Sequence, residues 1–101
     1  MMFNVIGVMP KRIASIAIKY YGAKAQKIKA IEELSELQQV IAKDLNGNFD
    51  RYNLIEEFAD VCYMLYQISV MHNITADEVA SNIRFKADRL YERIKEMKPR
   101  E

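Results

Sequence analysis

The chain has 101 residues, half of them hydrophobic, with 15 Lys and Arg set against 14 Asp and Glu. That length suits one domain and one core. The near-neutral balance argues against a protein whose main work is gripping nucleic-acid backbone. A single cysteine, Cys62, has no internal disulfide partner and no metal-ligand neighbour, so a reduced, cytosolic setting is the expectation.

The opening "MMFNVIGVMP" is apolar but short, and Pro10, Lys11 and Arg12 close it. It lacks a basic leader and a small-residue cleavage site, which disfavours a signal peptide. Residues 1–10 are expected as an arm packed on a partner subunit, and β-type alternation is weak outside residues 2–8. No run reaches the roughly 18 apolar residues of a membrane span, so a soluble protein with no membrane partner is expected.

Helical period dominates the rest of the chain, which has three glycines and two prolines. A first helix is predicted from about Lys11 to Tyr21, stopping at Gly22. The second runs from about Ala23 to Leu45 and ends at Asn46-Gly47, where left-handed backbone costs little. The polar loop "NGNFDR" is short, so the next helix returns antiparallel. That third helix, "NLIEEFADVCYMLYQISVM" from Asn53 to Met71, is apolar on nearly every side and ends near His72-Asn73. Thr75 and Glu78 then form a T-x-x-E capping box that starts a fourth helix, which stops before Pro99. The expected fold is all-α, an antiparallel bundle of about four helices in one domain spanning 1–101. Because the third helix must be covered all round, completion by a homodimer at least is expected.

On a helical wheel the second helix places Ile31, Leu34, Leu37, Ile41 and Leu45 on an apolar stripe. Glu33 and Glu36 lie together at its edge, while Glu32 turns away into solvent. Glu57 and Asp60 have the same i,i+3 spacing on the third helix. Two antiparallel helices so marked bring four carboxylates together, a cluster that repels itself without a cation. Hard divalent ions prefer oxygen ligands, and Mg²⁺ takes carboxylates, water and substrate phosphates. Zinc is disfavoured because there is no second histidine and no cysteine cluster. A di-iron bundle would want Glu-x-x-His on two helices. Mg²⁺, with Mn²⁺ as its substitute, is the expected cofactor. The bland reading is solvated decoration, and it suits "EELSE" alone better than the acids of the greasy third helix.

"EELSE" (32–36) followed by "EFAD" (57–60) resembles the EExxE…ExxD signature of MazG-like nucleoside triphosphate pyrophosphohydrolases. "QKIKAIEELSELQQVIAKDL", "NLIEEFADVCYMLYQI" and "FKADRLYERI" are similar to that family too, over roughly residues 22–95. The resemblance implies an all-α, homo-oligomeric enzyme, a dimer or a dimer of dimers. It would use Mg²⁺ to split a nucleoside triphosphate into monophosphate and pyrophosphate. By motif position Glu33, Glu36, Glu57 and Asp60 would be metal ligands. Metals screen the anionic phosphates, lower the pKa of a bound water and stabilise the leaving group. Glu36 is the candidate to bridge metals or take the water's proton.

Lys86 and Arg89 match basic positions of the family's last helix, so both are candidate phosphate ligands and Lys86 a candidate catalytic residue. Arg84 and Arg93 are weaker candidates, since a solvated charged face explains each of them equally well. Lys29 and Gln26 share the side of the second helix that carries Glu33 and are candidates for base or phosphate contacts. Asn82 is a further candidate, although a surface asparagine is the plainer reading. Tyr63, Tyr66, Met64 and Met71 are read as core or interface residues, and His72 as a helix-end residue.

The alternatives are sister enzymes, either a phosphoribosyl-ATP pyrophosphohydrolase or a dimeric dUTPase-like enzyme. From another class come a helical interaction module holding a structural ion and a degenerate member that binds nucleotides for regulation. The module would bind metal without triphosphate turnover. Asp60→Asn is predicted to abolish pyrophosphate release with helix content intact by circular dichroism. It should also raise metal-free thermal stability by relieving repulsion. Glu32→Gln should be mild, and near-normal turnover by Asp60→Asn would remove that residue from the ligand set.

Overall fold

The computed structural model describes residues 9–97. It contains four helices, α1 (Lys11–Tyr21), α2 (Ala23–Leu45), α3 (Arg51–Met71) and α4 (Ala76–Glu96). There is no strand among the described residues. The expected arm therefore lies almost wholly outside the described residues, as do residues 2–8 and Pro99. No described helix is long and apolar enough to cross a membrane.

Local chemistry sets each boundary. Gly22 joins α1 to α2 with φ 92° and ψ 150°, a conformation essentially reserved for glycine. A Cβ added there would meet nothing within 4 Å, so the requirement is one of backbone conformation and not of space. Between α2 and α3 the left-handed residue is Gly47 (φ 86°), while Asn46 stays at φ −91°. Asp50 caps α3 by accepting from the Asn53 backbone N–H at 3.1 Å, which starts the helix two residues before Asn53. His72 closes α3 and Asn73 takes φ 53°. The capping box at α4 is present, with Thr75 Oγ1 accepting from the Glu78 N–H and Glu78 Oε1 accepting from that of Thr75.

The α2–α3 hairpin is the spine of the molecule. Gln26 on α2 bonds to Gln67 on α3, and Glu33 lies beside Glu57. Residue number thus falls along one helix as it rises along the other. α1 lies across the open end of this hairpin and packs on both helices. The buried apolar residues are Ala14, Ala30, Val40, Val61 and Met64.

The α2 stripe differs from the one expected. The face turned to α3 carries Gln26, Ala30, Glu33, Leu37 and Val40, all buried or half-buried. Ile31 is instead 67% exposed and Leu45 84%, and Leu34 and Ile41 face solvent with them. The wheel joined two faces into one. α2 has an inward face that includes an acid and an outward face that exposes Ile31, Leu34, Ile41 and Leu45. α3 repeats the pattern, with Ile55, Phe58 and Leu65 turned out.

α4 stands apart. It packs against no other helix over any length and has no buried residue. The radius of gyration is accordingly 16.8 Å, against roughly 13 Å for a compact chain of this size. Stability within one chain therefore rests on a few side chains in the α1–α3 core. Met64, 3% exposed, is the largest apolar one among them. Met64→Ala should cost about 2–5 kcal/mol, read from urea unfolding, whereas Leu45→Ala in isolated chains should cost well under 1 kcal/mol.

Candidate metal centre

Glu33, Glu36 and Glu57 each bring a carboxylate oxygen to within 4.8 Å of the others. Helical spacing explains how. Glu33 falls in the inward face of α2, one turn from Glu36, and the antiparallel return of α3 sets Glu57 opposite both. Glu33 and Glu57 are half-buried, while Glu36 is exposed at the rim. Two oxygens, Glu33 Oε2 and Glu57 Oε2, are buried and have no hydrogen-bond partner among the described residues.

Asp60 takes a different position from the one its greasy sequence surroundings suggest. It is exposed, one turn beyond Glu57, and lines a cavity together with Glu33. Its charge still reaches the cluster. Burial, then the Asp60 and Glu36 carboxylates, push the Glu33 pKa above its ordinary 4.5, with Lys29 pulling weakly the other way. Glu57 is raised as well, first by burial, then by hydrogen bonding with Glu36 and by the charges of Glu36, Asp60 and Glu33.

The four acids are thus close enough to repel one another, and two of their oxygens lack any donor. A lone buried acceptor costs about 1–3 kcal/mol, more when charged. A cation removes both penalties, and a set made only of carboxylate oxygens suits a hard ion such as Mg²⁺ or Mn²⁺ and not zinc. The residues present therefore fit a divalent cation.

The remaining candidates are distributed unevenly. Lys29 Nζ lies 4.0 Å from Glu33 Oε1, half exposed and free to swing. Gln26 is buried, and its Nε2 donates to Gln67 Oε1 at 2.8 Å. Asn82 donates to the Glu78 carbonyl at 2.9 Å on the exposed face of α4. Lys86 and Arg89 are on α4, away from the α2–α3 packing, and Arg89 lies over the Phe85 ring at 5.7 Å.

A cavity of about 220 Å³ adjoins the acids, bounded by α1, α2 and α3. Tyr63 and Met64, read from sequence as packing residues, line it. So do Tyr21 and Gln67, which the sequence reading did not single out. A signal for Gln67 was present, because it continues the spacing Glu57, Asp60, Met64 along the inward face of α3.

The pH dependence follows from the two raised carboxyls. Well below pH 4.5 both are protonated in the folded and the unfolded chain. As pH rises the unfolded chain loses these protons first, so the stability they contribute falls until the raised folded pKa values are passed. Without metal, Glu57→Gln should melt with wild type near pH 4.5 and above it by pH 7.5. Added Mg²⁺ at pH 7.5 should raise the wild-type melting temperature and leave the variant's nearly unmoved.

The sequence model of a family described as phosphoribosyl-ATP pyrophosphohydrolase matches residues 5–87. The match takes in α1 as well as the acidic helices, where the motif resemblance drew little from the first twenty residues. It includes Glu33, Glu36, Glu57, Asp60 and Lys86 and stops before Arg89. Comparison with curated proteins and with solved structures gave no match. The family match covers most of the chain, and the protein belongs to the phosphoribosyl-ATP pyrophosphohydrolase family.

Proposed function

We propose that this pyrophosphohydrolase is magnesium-dependent and cleaves a nucleoside triphosphate between its α- and β-phosphates, releasing monophosphate and pyrophosphate. The observation that carries the reading is the pair of buried, partnerless oxygens of Glu33 and Glu57 inside a three-carboxylate cluster. Glu33, Glu36 and Glu57 would hold the ion, with Asp60 beside them. When bound, the ion supplies charge neutralisation for the phosphates and acidifies a coordinated water.

The chain's own groups divide the remaining work. Glu36 is the exposed carboxylate of the three, so it is the one able to accept the proton of a water attacking the α-phosphorus. Glu33 and Glu57 keep the ion-binding charge in place. Lys29, with its Nζ at the edge of the cluster, can turn from Glu33 to a phosphate oxygen once that carboxylate is neutralised. A cytoplasmic setting fits the free thiol of Cys62.

Lys86 and Arg89 enter through assembly. Along α4, Ala80, Ile83, Ala87, Leu90 and Ile94 repeat with the 3,4 spacing of a helix-packing seam. Asn82, Lys86, Arg89 and Arg93 run as one stripe beside it. No other described helix packs along this seam, and apolar side chains on the outward faces of α2 and α3 are exposed as well. The assembly proposed is a homodimer, or a dimer of dimers, in which α4 seats on the other subunit and brings Lys86 and Arg89 to that subunit's acids.

A second reading is phosphoribosyl-ATP as substrate, favoured by the family match. That molecule carries an additional phosphate, and among the described residues Lys29 is the one cationic residue lining the cavity, so the extra phosphate would draw on the α4 cations that the triphosphate already needs. The plain triphosphate is therefore preferred here. The decisive assay is pyrophosphate release from a panel of nucleoside triphosphates, dUTP and phosphoribosyl-ATP, with and without Mg²⁺. Metal-dependent release from plain triphosphates is expected, and turnover of phosphoribosyl-ATP alone would select the second reading. The assembly has its own test in an equal mixture of Glu57→Gln and Lys86→Ala chains, each inactive alone. Sites shared across a dimer should recover about a quarter of wild-type activity after subunit exchange, because half the dimers are mixed and each has one intact site.

A further inference from the structure

The cavity beside the acids contains a polar feature that metal binding does not use. At its far end Gln26 and Gln67 are 6% and 1% exposed and bonded to each other, Gln26 Nε2 donating to Gln67 Oε1 at 2.8 Å. Each glutamine amide has two N–H donors and an acceptor oxygen with two lone pairs. One shared bond leaves most of that capacity unused. Because Gln67 accepts with its oxygen, its amide nitrogen has no acceptor among the described residues, and the Gln26 oxygen has no donor among them. A purely structural role would be served about as well by two apolar side chains.

Placement gives the pair a use. Glu33 and Asp60 line the same cavity as Gln26 and Gln67, with Tyr21 and Tyr63 on its walls. Gln26 precedes Glu33 by seven residues and Gln67 follows Asp60 by seven. The amides thus lie roughly 10 Å along the helices from the acids, a span that a ribose and its base can cover. The volume, about 220 Å³, is below the ~300 Å³ at which sites for drug-sized ligands begin. It has room for a planar ring and not for a whole nucleotide.

We propose that this cavity receives the nucleobase and that the Gln26–Gln67 amide pair is its specificity-determining element, reading the base edge with one donor and one acceptor. The inference rests on the pyrophosphohydrolase reading for the position of the phosphates. With the hydrogen bond between them, the two amides hold one donor–acceptor order. A base with the complementary order binds, and one with the opposite order leaves buried polar groups unpaired. Sites built in this way discriminate strongly. Tyr21 and Tyr63 supply the apolar and aromatic walls for the ring faces.

The test is binding of α,β-methylene nucleoside triphosphates bearing adenine, guanine, cytosine or uracil, together with an abasic ribose triphosphate, in the presence of Mg²⁺. Wild type should show a spread of about tenfold or more among the bases. Gln67→Met should collapse the spread towards the abasic value while leaving the Mg²⁺ isotherm unchanged. In turnover the loss should fall on KM more than on kcat. Gln26→Met attacks the same pair from α2 and should do the same, which separates base reading from a folding defect in either variant. Base-independent affinity in wild type, no affinity for any analogue, or an unchanged spread in both folded variants would overturn the proposal. Turnover without base preference would leave the pyrophosphohydrolase reading standing and remove this one. Base-selective binding without turnover would do the reverse.

Discussion

Between α2 and α3, where a helical hairpin ordinarily buries its most apolar side chains, this chain sets Glu33 opposite Glu57 with Glu36 alongside. Like charges at such separations raise one another's pKa, and here burial raises both inner groups first. The hairpin cannot relieve the strain by turning Glu33 outward without also exposing Ala30 and Val40, which share its face. It holds the acids in place through apolar packing above and below them. Much of the molecule is arranged around that constraint. α1 covers one end, the cavity opens beside it, and Lys29 is the nearest counter-charge.

The core of the described residues, made of Ala14, Ala30, Val40, Val61 and Met64, is small. Chains of this length bury a smaller fraction of their surface than larger ones, and this one also devotes part of its hairpin seam to acids and amides. The apolar capacity is instead displayed outward, on Ile31, Leu34 and Ile41 of α2, Ile55, Phe58 and Leu65 of α3, and the length of α4. Exposed apolar side chains in this number support the proposed assembly, since large apolar patches are characteristic of interaction surfaces. Under the proposed assembly site and interface are linked: the polar seam that fits a cation takes up part of the hairpin packing among the described residues, and α4, which packs along no other described helix, carries cationic residues suited to phosphate.

The helices were legible in the sequence because their punctuation is strong. Gly22, Asn46-Gly47 and the Thr75–Glu78 box each have one physical reading, and the observed boundaries follow them. The meeting of Glu33, Glu36 and Glu57 was legible as well, because i,i+3 spacing and an antiparallel return bring them together, while Asp60, the fourth acid expected there, stands one turn away. The inward face of α2 was not. An apolar stripe on a wheel does not say whether it meets its own chain or another, and Ile31 and Leu45 belong to the outward face. Asp60 reads as dry because the chain around it is apolar, yet it stands beside a cavity, which leaves it exposed although Met64 and Gln67 of the same face are buried. Gln67 escaped notice because a lone amide in an apolar helix is unremarkable until Gln26 is found against it.

Direct titration with Mn²⁺ followed by electron paramagnetic resonance tests the central claim, that the α2–α3 acids form a divalent-cation site. Wild type at pH 7.5 is predicted to remove free Mn²⁺ signal in whole-number stoichiometry per chain, with Mg²⁺ competing. Glu33→Gln and Glu57→Gln should each abolish or severely weaken that binding while keeping their helices. Mn²⁺ binding that survives both substitutions, or that is absent from folded wild type, would contradict the account.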